Sequence, residues 1–177
     1  MLRSSWVYAT AFFVACSQPS LAQDARDQVI ENRIANFRDM GSAYKNIGDE
    51  LKSGHPNRAK IQSSAKTIAD YSTHLLSWFP PGSEPPPEIS RSWIDKVSDW
   101  LSSDDSAVPT DQPKSHAKPE IWKQRAKFKN DARSLQLAAA GMKTISLAGD
   151  VAAIAAQFRT LGVTCKSCHD VFRKEVH

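Results

Sequence analysis

From Ile30 onward apolar residues recur at alternating spacings of three and four: Ile30, Phe37, Met40, Tyr44, Ile47 and Leu51, with Arg33 at the position between Ile30 and Phe37. A mean period near 3.5 residues belongs to helices packed side by side in left-handed bundles. The pattern predicts a first helix over about Asp27 to Ser53. Gly54-His55-Pro56 interrupts it. Ile61, Ala65, Ile68, Ser72, Leu75 and Phe79 then carry the same rhythm through a second helix, which Pro80-Pro81-Gly82 ends. So short a link makes the two antiparallel neighbours. A third helix is predicted to begin near Pro119, a residue suited to a first turn, with Ile121, Phe128, Ala132, Leu135, Ala139 and Met142 facing inward. Gly149-Asp150 caps a fourth, running to about Val176, whose inward stripe is Val151, Ile154, Phe158, Leu161, Cys165, Cys168 and Phe172. The expected fold is all-α, an antiparallel four-helix bundle.

Composition agrees with this pattern and explains the gap in it. The chain has 177 residues, 41% hydrophobic and 24% charged, which suits one domain with one core. Seven glycines are few, and eight of the ten prolines lie between Pro80 and Pro119. Because turn-rich sheets need glycine and proline breaks helix interiors, this distribution favours long helices around one proline-rich connection. That connection is acidic, with Glu84, Glu88, Asp95, Asp99, Asp104, Asp105 and Asp111. Within it Ile89, Trp93, Val97, Trp100 and Leu101 are spaced for a short extra helix lying across the bundle. The opposite charge collects in the first half of the third helix, in Lys123, Arg125, Lys127, Lys129 and Arg133.

The first 22 residues read as an address. Arg3 is followed by Trp6 to Ala15, apolar or small except for Thr10, and then by Ser20-Leu21-Ala22, a small-x-small cleavage site. The run is too short to span a bilayer at about 1.5 Å per residue, so a signal peptide cut after Ala22 is expected, with export to the periplasm. Val14-Ala15-Cys16 also resembles a lipobox, which would make Cys16 a lipidated N-terminus. Either route leads out of the cytoplasm. No stretch is expected to span a membrane.

Chemistry concentrates near the C-terminus, in Cys165-Lys166-Ser167-Cys168-His169. On a helix both cysteines fall on the core stripe one turn apart, and His169 stands four residues after Cys165 on nearly the same face. C-x-x-C-H is the attachment signature of c-type haem, in which two cysteines form thioethers with the porphyrin and the histidine binds its iron. Other chemistries fit less well. Tetrahedral zinc needs a fourth ligand, for which His177 is the nearest candidate. A redox dithiol belongs at a helix N-terminus after a strand, and a disulfide between helical residues three apart has poor geometry. One covalent haem c is the expected cofactor.

Around this motif the chain resembles class II c-type cytochromes, the cytochrome c′ family. Similar segments are C-K-S-C-H-D-V-F-R-K (165–174), V-I-E-N-R-I-A-N-F-R-D-M-G (29–41), F-P-P-G-S (79–83) and P-E-I-W-K-Q-R-A-K-F (119–128). The likeness covers nearly all of 23–177, with about 20 residues within 84–115 standing out as an insertion. It implies His169 as the proximal ligand and the first helix as the distal wall, with Phe37 facing the iron. Phenylalanine cannot ligate, so the implied iron is five-coordinate. Met40, one turn later, is the rival distal ligand and would make a six-coordinate electron carrier. Phe37 also reads simply as core, and Met142 likewise.

Arg33 on an apolar stripe needs an anionic partner, and a haem propionate is one; snorkelling, or pairing with Glu31 or Asp39, is the alternative. Ile34 stands where the family often has a glutamine near the propionates. Arg173 lies one turn after His169, either near the proximal imidazole or as a last-turn cation opposing the helix dipole. His55, His74 and His116 read as solvated or peripheral.

The implied activity is electron transfer, with binding of diatomic gases such as nitric oxide or carbon monoxide at an apolar distal side. Enzymatic turnover ranks behind these, because the distal stripe lacks a polar acid–base residue. The expected partners are an acidic redox protein docking on the basic third helix, a gas ligand, and a second copy of the chain through the first two helices. Nucleic acid is not implied. The formal charge of +4 falls by one when Arg3 leaves with the leader, and two propionates of about −1 each would bring it near neutrality.

Overall fold

The computed structural model describes residues 19–85, 115–148 and 150–175, with side chains from residue 23 onward. Five α-helices carry these residues: α1 (Pro19–Lys52), α2 (Arg58–His74), α3 (Glu120–Lys123), α4 (Arg125–Ala148) and α5 (Val151–Phe172). The four long ones form the bundle, α1 packing on α2, α2 on α4 and α4 on α5. No helix among the described residues is long and apolar enough to cross a membrane. The leader (1–22) lies outside the described residues except for helical backbone at 19–22, and the predicted extra helix over Ile89–Leu101 lies outside them altogether.

The inward stripes are where the periodicity puts them. Ile47, Ile61, Met142, Ile154 and Leu161 are fully buried, and Ile30, Ile68, Phe128 and Phe172 nearly so. The α1–α2 turn is tied by Glu50, which accepts from the Asn57 amide at 2.9 Å and pairs with Lys60 at 2.8 Å, while the Asn57 side chain caps α2 through the Lys60 amide. Asp150 caps α5 as expected, accepting from the amides of Ala152 and Ala153.

Helix ends differ from the sequence reading in four places. The helical backbone of α1 starts at Pro19 rather than near Asp27, because nothing from Pro19 to Asp27 interrupts an i→i−4 ladder. The second helix tightens to a 3-10 turn over Leu75–Trp78 and releases Phe79 from helical geometry. The third is broken at Gln124 (φ −110°, ψ 46°), so α3 is a single turn ahead of α4. The fourth stops at Phe172 instead of Val176: Arg173 is extended and pairs with Ala117, with Lys118 N–H donating to Phe172 O at 2.9 Å and Lys174 N–H to His116 O at 2.7 Å. Val151, expected on the inward stripe, is 38% exposed because it occupies the first turn of α5, at the bundle's end.

α1 and α5 meet over a short stretch only. There Tyr44 stacks on Phe158 with ring centroids 4.3 Å apart, and two glycines make the approach possible. A Cβ on Gly162 would run into Tyr44 Oη, and one on Gly48 would lie 3.1 Å from Phe158 Cζ. Beyond this crossing, toward the start of α1 and the end of α5, the two helices line opposite walls of a cavity.

Candidate haem site

The cavity has a volume of about 450 Å³, within the range of cofactor sites. All seven residues singled out from the sequence line it: Arg33, Phe37 and Met40 from α1, and Cys165, Cys168, His169 and Arg173 at the end of α5. Residues separated by more than 120 positions thus share one space because α1 and α5 run antiparallel. The wall is otherwise mainly apolar, with Ile68, Leu75, Ile121 and Leu135 contributed by the other helices.

An aromatic chain runs around it. Phe37 meets Trp78 edge-on at 5.1 Å and Phe79 at 6.1 Å; Phe79 meets Phe128 at 4.9 Å; Phe128 meets Phe172 at 5.2 Å. Three of these contacts are edge-to-face and the Phe37–Phe79 contact is tilted, and together they fix the ring orientations. Phe37 is therefore both a packing residue and a cavity residue.

Cys165 and Cys168 are free thiols, half-buried on one face of α5. Burial raises the Cys165 thiol and pushes Cys168 up to about 11, with the Asp131 carboxylate adding to the latter. Both stay protonated and neutral at physiological pH. His169 moves the other way: burial, then the nearby Arg173 guanidinium, lowers its imidazole, with Asp170 opposing. A neutral imidazole is the form that binds a metal. Among the described residues no group of three or more His, Cys, Asp or Glu is gathered to hold a bare metal ion.

Arg33 is 2% exposed and makes no contact with Glu31 or Asp39. Its Nε donates to Trp78 O at 2.8 Å and its Nη2 to Ser83 Oγ at 2.7 Å, while the guanidinium stacks 4.3 Å from the centre of Phe79. The 3-10 turn and the Pro80-Pro81-Gly82 bend supply these acceptors, and Gly82 at φ 85° makes the bend. Burial depresses the guanidinium to about 10, the Glu84 carboxylate partly offsetting this and Arg26 adding to it. One donor is left over: Arg33 Nη1 is buried with no hydrogen-bond partner among the described residues.

That orphaned donor, two neutral thiols, one neutral imidazole and an apolar cavity fit a haem c. The cysteines suit its thioethers, His169 its iron and Arg33 Nη1 a propionate oxygen. The sequence alone does not place Tyr44 or the segment Ser115–Ala117 here, yet both line the cavity. Tyr44 is on the predicted stripe of α1 and reads as core. His116 reaches the site only through the Ala117–Arg173 pairing, which no local pattern announces.

A family model described as Cytochrome C′ matches residues 94–173. The cytochrome c′ of Rhodopseudomonas palustris is 32% identical over 150 residues, covering 84% of each chain. Cytochrome c-554 of Cereibacter sphaeroides is 26% identical over 167 residues, covering 92% of this chain and 93% of that one. Among solved structures, cytochrome c′ from Thermochromatium tepidum superposes with a TM-score of 0.66 at 21% identity, over 85% of this chain and 97% of the other. A nitric oxide complex of a mutant cytochrome c prime from Alcaligenes xylosoxidans does so with a TM-score of 0.64 at 22% identity and the same coverage.

Proposed function

The chain belongs to the cytochrome c′ family, and on that premise we propose a periplasmic haem protein that transfers electrons and binds small gases at a five-coordinate iron. One observation carries the reading: Cys165, Cys168 and His169 open onto the same cavity as Arg33 and Phe37. Haem c, the covalent cofactor of the family, supplies the redox and gas-binding chemistry when bound.

The residues divide the remaining work. Cys165 and Cys168 would tether the porphyrin through thioethers. His169, whose imidazole pKa is lowered by desolvation and then by Arg173, would ligate the iron. Arg33 would offer its spare Nη1 to a propionate, whose charge would balance the buried guanidinium. Phe37, on α1, has no donor atom to ligate iron, and its ring would help keep water out of the cavity. An uncharged diatomic loses little on entering such a space, whereas water loses its hydrogen bonds. Residues 1–22 serve as the export signal, leaving 23–177 as the mature domain. The nitric oxide complex of the Alcaligenes protein supports the gas-binding part by analogy.

Met40 supports a second reading. Met40 is 8% exposed and lines the same cavity, so ligation by its thioether would give a low-spin electron carrier. The optical and EPR spectra of the ferric holoprotein separate the two. A high-spin spectrum is expected; a low-spin one with a methionine-to-iron charge-transfer band would establish Met40 and remove the five-coordinate site.

A further inference from the structure

The cavity lining holds three arginines and two histidines and, among the described residues, no carboxylate. A cation-lined, mostly apolar cavity needs its counter-charge from what it binds. On the haem reading that charge is two propionates, with four acceptor oxygens. Arg33 cannot satisfy all four: Nε and Nη2 are committed to Trp78 and Ser83, leaving only the two N–H groups of Nη1. The remaining oxygens need donors from elsewhere on the wall or from solvent.

One corner of the cavity offers several donors from two elements. The chain entering α3 is pinned to the chain leaving α5 by Lys118 N–H to Phe172 O at 2.9 Å and Lys174 N–H to His116 O at 2.7 Å, with Ala117 opposite Arg173. The pairing brings the backbone of Ser115 and His116 alongside that of Arg173, four residues beyond His169, and all three residues line the cavity. Ser115 Oγ accepts from the Ala117 amide at 3.3 Å, which leaves its own O–H free to donate. His116 is exposed, and its imidazole carries at least one N–H whatever its charge. The pairing costs nothing further on binding, because the backbone is already held.

We propose that His116, with Arg173 and Ser115, forms a second carboxylate-binding corner of the cavity, separate from Arg33, that would hold one haem propionate. This rests on the haem reading above. It makes the segment just after the acidic connection part of the cofactor site. Arg38, the remaining arginine of the lining, lies on exposed α1 and is the competing donor.

The test uses the holoprotein with His116→Leu, His116→Gln, Arg38→Leu and, as a remote control, His74→Leu, an exposed histidine at the end of α2. Covalent haem content is read first, then the midpoint potential and the resonance Raman propionate bending band. His116→Leu is expected to keep full haem, lower the potential and move the band to lower frequency. Gln, which retains an N–H donor, restores part of both shifts, and His74→Leu changes neither. An unshifted band and potential in His116→Leu overturn the proposal, as does a shift seen only in Arg38→Leu or one equalled by His74→Leu. A wild-type chain lacking covalent haem defeats the haem reading and this one together, whereas full haem with an unshifted band defeats this one alone.

Discussion

On the proposed reading, Phe37 would decide which chemistry the α1 wall of the cavity permits. Its ring is pinned by Trp78 and Phe79, so a side chain of similar length placed there inherits a defined direction into the cavity. Phe37→Met is expected to convert a high-spin ferric spectrum toward low spin and to slow carbon monoxide binding, read by stopped flow on the ferrous protein. Met40→Leu, nearly equal in volume, should leave the spin state unchanged and cost under about 1.5 kcal/mol in stability. At this scale much of the site was legible. The C-x-x-C-H spacing pointed to Cys165, Cys168 and His169, and an arginine on an apolar stripe marked Arg33. The rest was not, since Arg33's actual partners are a main-chain carbonyl of a 3-10 turn and Ser83, neither of which has a pattern to read. His116 looked peripheral for the same reason: its place depends on a pairing with the residues that follow α5, more than 50 positions away.

The elements owe their faces to periodicity and their ends to specific side chains. Asp150 holds two amides at the start of α5, the helix that carries the haem motif at its other end. Asp150→Ala should cost about 1 kcal/mol and lower the thermal midpoint by roughly 2–4 °C, measured by circular dichroism. The α1–α2 turn depends on ionised Glu50, whose carboxyl is held below its usual range first by Lys60 and then by the Asn57 amide. A depressed carboxyl contributes stability above its unfolded pKa of 4.5 and loses it as pH falls through the lower folded value. Acid titration of wild type should thus show stability falling from about pH 5 downward in part through this turn, and Glu50→Gln should be less stable at neutral pH with a shallower acid slope. The 3.5-residue rhythm identified every bundle helix, but it could not show that Gln124 breaks the third or that Arg173 leaves the fourth. The second is set by what the chain meets after folding, since Arg173 pairs with Ala117; the first is a local change of backbone angle at Gln124 that no residue pattern announces.

At the level of the whole molecule, a bundle becomes a cofactor site because one pair of helices is allowed to part. Gly48 and Gly162 let Tyr44 and Phe158 bring α1 and α5 together at one level, and the same helices then frame the cavity beyond it. The charge on the chain follows the same division. Among the described residues, arginines and histidines gather on the cavity wall and no carboxylate lines it, so the acids of a bound haem would complete the balance. Covalent attachment through Cys165 and Cys168 is the claim on which all of this depends. Its direct test is the haem that stays with the polypeptide after denaturation and acid–organic extraction, compared between wild type and Cys165→Ser/Cys168→Ser by pyridine haemochrome absorbance. Wild type is predicted to keep one haem per chain and the double variant none; equal haem in both would contradict the account.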